Sequence, residues 1–186
     1  KAGKLTNARK ELDTGRSAWN LAMGSQALYD WLDAEPERFH PGDLDYIHSV
    51  ERISRLSNVI SINGGVQLDL MGQENAESAG ARQLSGIGGQ MDFLEGAYRS
   101  RGGKGFICIH SSRLDKEGRR RSNIVAAIPS GSTVSAPRTM IQYVATEYGV
   151  VCLSGKTLRE RAEAMASIAH PDFREELARS AAENFR

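Results

Sequence analysis

Ser85-Gly-Ile-Gly-Gly-Gln-Met-Asp-Phe93 sets three glycines within four positions, directly ahead of a stretch that reads as a helix from Gln90 to Ser100. Glycine adopts φ > 0 without steric cost and lets backbone come close to a ligand. The start of a helix leaves its first N–H groups unpaired and carries a partial positive charge. Together they form a set of backbone donors suited to a thioester oxygen or a phosphate. A plain tight turn before a helix accounts for the same residues, so the surrounding chain has to decide.

Upstream, Val59–Asn63 and Val66–Leu70 alternate apolar and polar residues about Gly64-Gly65, which predicts a β-hairpin. Residues 1–15 are polar and glycine-punctuated, a linker or the tail of a preceding helix. A strand is predicted over Ser17–Met23, and a short helix over Gly24–Asp33 that presents Leu28, Trp31 and Leu32. Pro36–Asp45 reads as a loop, Val50–Leu56 as a short helix, and Trp19 and Trp31 as core residues.

Downstream, Phe106–His110 and Ile124–Ile128 read as buried strands, separated by the charged run Arg113–Arg121. Tyr143–Ala145 and Val150–Leu153 are two further strands on either side of Glu147. The C-terminus reads as helical. Thr157 with Glu160 has capping-box spacing, and Asp172 with Glu175 repeats it after Pro171. His170 is expected to stop the preceding helix, whose one face carries Leu158, Ala162, Met165 and Ile168. Strands and helices mixed on this scale predict a three-layer α/β domain.

Composition narrows the function. At 186 residues the chain suits one domain, or a compact part of something larger. With 24 basic and 23 acidic residues the net charge is +1, so no overall field favours nucleic acid. No apolar run approaches the ~20 residues that a membrane span needs. Cys108 and Cys152 lie in apolar, strand-like runs and read as buried free thiols, which suits a reducing cytoplasm. No His/Cys/Asp spacing suggests a metal site. No signal peptide is visible, and the chain opens on Lys1 without a methionine, so a segment upstream is expected.

Several separate motifs then fall in a recognisable order. Ile60-Ser-Ile-Asn-Gly-Gly-Val-Gln-Leu-Asp-Leu-Met-Gly-Gln-Glu-Asn-Ala-Glu-Ser78 precedes the glycine stretch, and Tyr143-Val-Ala-Thr-Glu-Tyr-Gly149 follows it. Leu158-Arg-Glu-Arg-Ala162 and Ile168-Ala-His-Pro-Asp-Phe-Arg174 come last. This set closely resembles the C-terminal domain of the acetyl-CoA hydrolase/transferase family, over about Gly3 to Leu177. The resemblance implies one C-terminal domain over residues 1–186, a CoA-transferase-like α/β fold with a mixed, largely parallel sheet, and a homodimer. Its substrates would be an acyl-CoA and a short-chain carboxylate, with no covalently held cofactor and no metal. It also implies a ping-pong reaction through a glutamyl-CoA thioester.

By the same resemblance, the nucleophilic glutamate belongs to a segment upstream of Lys1, shortly before the stretch matching Ala2-Gly-Lys-Leu-Thr-Asn7, on an N-terminal domain that these residues do not include. No residue of this chain is therefore assigned as nucleophile. Backbone N–H groups around Gly88 and Gly89 suit the oxyanion or the thioester arm, and Val66 matches a position that lies against CoA. Glu147 resembles an acid near the active site that organises CoA or the nucleophile; a turn-capping carboxylate is the plainer reading. His48 stands where the family often has asparagine near the cleft, and reads equally as a surface histidine. His110 reads as a core-edge histidine.

Arg119-Arg-Arg121, with Lys104 and Lys116, suits CoA phosphates or a merely solvated loop. Gln73 and Asn75 are expected to fix the loop beneath the glycine segment. The expected activity is CoA transfer, with thioester hydrolysis by the same site as a close alternative and a non-catalytic CoA-binding or assembly module as a contrasting one.

Overall fold

The computed structural model describes residues 3–185; Ala2 of the upstream motif lies outside them. In chain order the elements are β1 (Ser17–Trp19), α1 (Gln26–Ala34), β2 (Phe39–Pro41), α2 (Leu44–Ile47), α3 (Val50–Arg55), β3 (Ile60–Gly64), β4 (Gln67–Asp69) and β5 (Glu74–Asn75). There follow β6 (Ser78–Ala79), β7 (Arg82–Gln83), α4 (Gln90–Arg99), β8 (Lys104–Cys108), β9 (Ser112–Leu114), β10 (Arg120–Ser122) and β11 (Ile124–Val125). The chain closes with β12 (Tyr143–Thr146), β13 (Gly149–Cys152), α5 (Leu158–Ser167) and α6 (Pro171–Asn184).

The organising sheet has the order β13-β12-β8-β3. β3, β8 and β12 run parallel, and β13 returns antiparallel to β12 through the Glu147-Tyr148 turn. A smaller sheet, β11-β4-β5, mixes one parallel and one antiparallel pair. Ile107 and Val144 point to one face of the main sheet, and the buried core they join takes in Leu68 and Leu70, Leu94 of α4, Ile124, and Ala162 and Met165 of α5. α3 packs on α4 and α6 on α5 as a further tier. The chain is α/β in three layers, and its main sheet is largely parallel.

The opposite face of that sheet is apolar and open. Register aligns Ile62 with Phe106, Tyr143 and Cys152, and aligns Cys108 with Ala145 and Val150. Ile60, Ile62 and Val150 are exposed there, and Phe106 stacks on Tyr143 at 4.8 Å between ring centroids. The alternation in β3 thus has the opposite sense to a simple core strand: Ser61 is buried while its isoleucines face outward. Cys108 and Cys152 lie on this face as half-buried free thiols, not deeply buried ones.

Other expectations are corrected by long-range pairing. Gly64-Gly65 does not close a hairpin, because β3 pairs with β8 and β4 with β11 and β5, in separate sheets. The strand expected over Ser17–Met23 shortens to β1, which pairs in parallel with β2 inside the Pro36–Asp45 segment read as loop. The strand expected over Ile124–Ile128 shortens to β11, and the charged Arg113–Arg121 run folds back as the β9–β10 hairpin. The capping box of Thr157 and Glu160 forms as expected. The second box does not: His170 itself caps α6, its Nδ1 accepting from the Asp172 N–H, so it starts a helix. Leu158 is exposed rather than part of the buried face.

Candidate acyl-CoA site

The parallel strands β3, β8 and β12 end side by side, with Gly64, Cys108 and Ala145 in register. In open α/β sheets this carboxyl edge is where ligands bind. Two residues beyond Gly64 comes Val66, and two beyond Ala145 comes Glu147. Val66 is half-buried, and its N–H donates to the Asn75 carbonyl at 2.8 Å, which holds the turn out of β3 against β5.

Asn75 is the hub beneath the glycine segment. Its Oδ1 accepts from the N–H groups of Glu77 and Ser78 and from the hydroxyls of Ser78 and Thr133, while its amide donates to the Ser78 carbonyl. Glu77 in turn accepts through its carbonyl from the N–H groups of Leu84 and Ser85, where the glycine stretch begins. Gln73 donates to Asp69 at 2.7 Å. Asn75 fixes the loop as expected, whereas Gln73 ties the β4–β5 turn to Asp69 instead.

Gly88 is exposed at φ +59°, and a Cβ there would have no heavy atom within 4 Å. The glycine is required by conformation alone, with open space before it. Gly89 caps α4 without any side-chain hydrogen bond, so no side chain at the cap takes up the first N–H groups of that helix. A Cβ on Gly89 would lie 2.6 Å from His48 Nδ1. The His48 imidazole therefore rests on Gly89, 3.6 Å from the Asp92 carboxylate and edge-on to Phe93. It is a half-buried group at the glycine loop, not a free surface histidine.

Glu147 is exposed in the β12–β13 turn, and its carboxylate accepts from the Ser111 hydroxyl at 2.7 Å and the Ser111 N–H at 2.9 Å. Desolvation would raise its pKa, but the two Ser111 hydrogen bonds and the charge of His110 outweigh this and hold it below the usual carboxylate range. An anion is thereby fixed at the sheet edge. His110 is exposed, which corrects the core-edge reading. Arg119 and Arg121 both pair with Asp115, at 3.0 and 2.9 Å, and Arg120 donates to Ser112, so these cations are met within their own hairpin.

Sequence reading missed the most unusual group here. Glu74 is fully buried, its Oε2 accepts from the Gln90 side-chain amide, and its Oε1 has no partner among the described residues. Burial pushes its pKa up to about 8. Its neighbours Gln73 and Asn75 made the stretch read as polar loop, and a two-residue strand leaves no periodicity to reveal a buried position. Trp19 and Trp31, read as core, are half-buried, and their indole N–H groups have no partner among the described residues. Each lines a cavity, about 530 Å³ beside Trp19 and about 340 Å³ beside Trp31. Among the described residues, no cluster of three or more His, Cys, Asp or Glu side chains could hold a metal ion.

A largely parallel sheet whose carboxyl edge meets an uncapped, glycine-led helix makes this an α/β domain of the kind that binds ligands at that edge. The chain belongs to the acetyl-CoA hydrolase/transferase family: residues 24–181 match the family's C-terminal domain. It is 45% identical to a butyryl-CoA:acetate CoA-transferase of Anaerostipes caccae over 97% of this chain and 40% of that protein. Among solved structures, RipA from Yersinia pestis superposes with a TM-score of 0.86 at 40% identity, over 96% of this chain and 39% of that one. A 4-hydroxybutyrate CoA-transferase from Porphyromonas gingivalis superposes with a TM-score of 0.79 at 36% identity, over 97% and 40%. The chain thus spans about 40% of the length of these relatives.

Proposed function

We propose that this chain is the C-terminal part of a longer cytoplasmic enzyme that moves CoA between a short-chain acyl-CoA and a carboxylic acid such as acetate. The observation that carries the proposal is the glycine-led start of α4. An uncapped set of N–H donors stands beside Gly88, with open space in front, close in the fold to the Gly65–Val66 turn. Donors fixed in advance act on the charge that develops on the thioester oxygen under attack and need no reorganisation at that moment. Val66 borders the CoA arm, and Glu147, held anionic by Ser111, sets the electrostatics of the edge.

The attacking glutamate is supplied from outside this chain. Its carboxylate adds to the thioester carbonyl and expels CoA thiolate, leaving a mixed anhydride. The thiolate then attacks the enzyme's own acyl carbon, releasing the first acid and forming the glutamyl-CoA thioester. A second carboxylate reverses the sequence. Water in place of that second acid makes the same site a hydrolase, a reading that the family's breadth supports. The test is the full-length protein incubated with acyl-CoA and no acceptor acid. A covalent CoA adduct that disappears on adding acetate, with acetyl-CoA formed, is the expected result. Free acid released at the same rate with or without acetate would assign hydrolysis, and no turnover at all would remove both readings.

A further inference from the structure

Two backbone walls of the site, Gly64–Val66 and Gly88–Gln90, come from segments more than 20 residues apart, and one side chain lies between them. Glu74 Oε1 packs against Gly65, only 2.5 Å from where a Cβ on that residue would stand, with Ile109 Cγ2 at 3.1 Å from the same point. The other carboxyl oxygen takes the hydrogen bond from Gln90, the first residue of α4. The Glu74 backbone is anchored as well, its N–H donating to Ala136 and its carbonyl accepting from Ser135 and Ala136. We propose that Glu74 is a positioning residue of the acyl-CoA site, a buried strut that holds the Gly65–Val66 turn and the glycine-led start of α4 at a set spacing. The proposal rests on the acyl-CoA reading of that site.

The strut works in its neutral form. Burial favours the protonated carboxyl, and among the described residues no cation compensates for its charge. From β4, Asp69 turns to the N–H groups of Met71 and Gln73 and to the Gln73 amide. From α4, Gln90 reaches the carboxyl, while Asp92 faces His48. From the exit of β8 comes Ile109, and from residues 135–136 comes Ser135, whose hydroxyl donates to Glu77. Ionisation therefore places an uncompensated charge between the two walls, with water as its nearest remedy. Loosening of the walls is the consequence, and acyl-CoA binding should register it.

The experiment is steady-state CoA transfer by the full-length protein from pH 6.5 to 9.5, comparing wild type, Glu74→Gln and Glu74→Met. Glutamine still offers Gln90 an acceptor but cannot ionise. It should keep kcat and KM within about twofold at pH 7 and abolish the alkaline fall of kcat/KM centred near pH 8. Methionine fills the space without the hydrogen bond, and should raise KM for acyl-CoA roughly tenfold with a smaller change in kcat. An alkaline limb shared by wild type and Glu74→Gln overturns the proposal, as does unchanged KM in a folded Glu74→Met protein. If the methionine variant does not fold, the glutamine comparison decides alone. Hydrogen exchange over residues 86–93 separates this proposal from the activity it rests on. A wild type that transfers no CoA, yet shows extra exchange there above pH 8 that Glu74→Gln removes, keeps the strut and discards the transferase; no such difference discards the strut.

Discussion

At the scale of the residue, two carboxylates at one sheet edge are driven in opposite directions by their surroundings. Glu74 has its pKa raised from 4.5 to about 8, so the folded state binds a proton that the unfolded chain releases. Stability from this group is fully present below pH 4.5 and falls as pH rises to 8, by an amount on the order of 5 kcal/mol. Melting of the full-length protein should therefore decline between pH 5 and 8, and Glu74→Gln should flatten that decline. A wild-type melting temperature that stays level over this window would contradict the burial of an ionisable group. Glu147 has the opposite sign. Its depressed pKa contributes stability above 4.5 that is lost as pH falls through the lower folded value. Glu147→Gln keeps one acceptor for Ser111 but loses the charge, so we expect a modestly lower melting temperature near pH 7, a gap to wild type that closes as pH falls below 4.5, and kcat and kcat/KM that drop together. Unchanged kinetics would reduce Glu147 to a turn clamp. At Gly88 any side chain meets the left-handed conformation, at a cost of about 1–2 kcal/mol, but no steric wall. Gly88→Val should fold with a lowered melting temperature and lose turnover out of proportion to it; normal kinetics would make the loop structural only.

At the scale of the element, the contact between α3 and α4 depends on one missing methyl. A Cβ on Gly96 would lie 2.6 Å from Ile53 Cβ, so the two helices close to a distance that only glycine permits. Gly96→Ala should destabilise the protein by about 1–3 kcal/mol in denaturant titrations, helix propensity notwithstanding. Ile53→Ala in the same protein should cost less than the two single changes added together, because they share the contact. Strict additivity would place the strain elsewhere. What the sequence disclosed follows the same division between near and far. The capping box of Thr157 and Glu160, the α4 start and the β12–β13 pair around Glu147 are set within a few residues, and all were legible. The partner of β3 is over 40 residues away, so the glycines at 64 and 65 looked like a hairpin turn when they are the exit from a parallel strand. His48 against Gly89, and Glu74 against Gly65 and Gln90, are contacts across tertiary structure between residues whose local context is polar and short. Periodicity carries no trace of them.

At the scale of the whole molecule, the chain leaves an apolar surface that a self-sufficient domain would cover. Ile60, Ile62 and Val150 are exposed beside Phe106 and Tyr143 on one sheet face, and Leu21 and Met23 are exposed close in sequence to Trp19. Contiguous apolar surface of this kind marks an interface. It fits the proposed longer enzyme, in which the remaining polypeptide would bring the nucleophile and rest on this face. The 186 residues alone should then lack CoA-transferase activity, since fixed donors without an attacking group form no thioester adduct. The same residues should respond in opposite ways in two settings. Ile62→Lys ought to improve the solubility of the chain alone and reduce its self-association in size-exclusion runs, because it breaks the apolar face with a charge. In the full-length protein that lysine would be buried without a partner and should cost several kcal/mol. A full-length Ile62→Lys protein that melts and turns over like wild type would show that the face is open in the enzyme too. The nucleophile would then have to reach the α4 loop from another side.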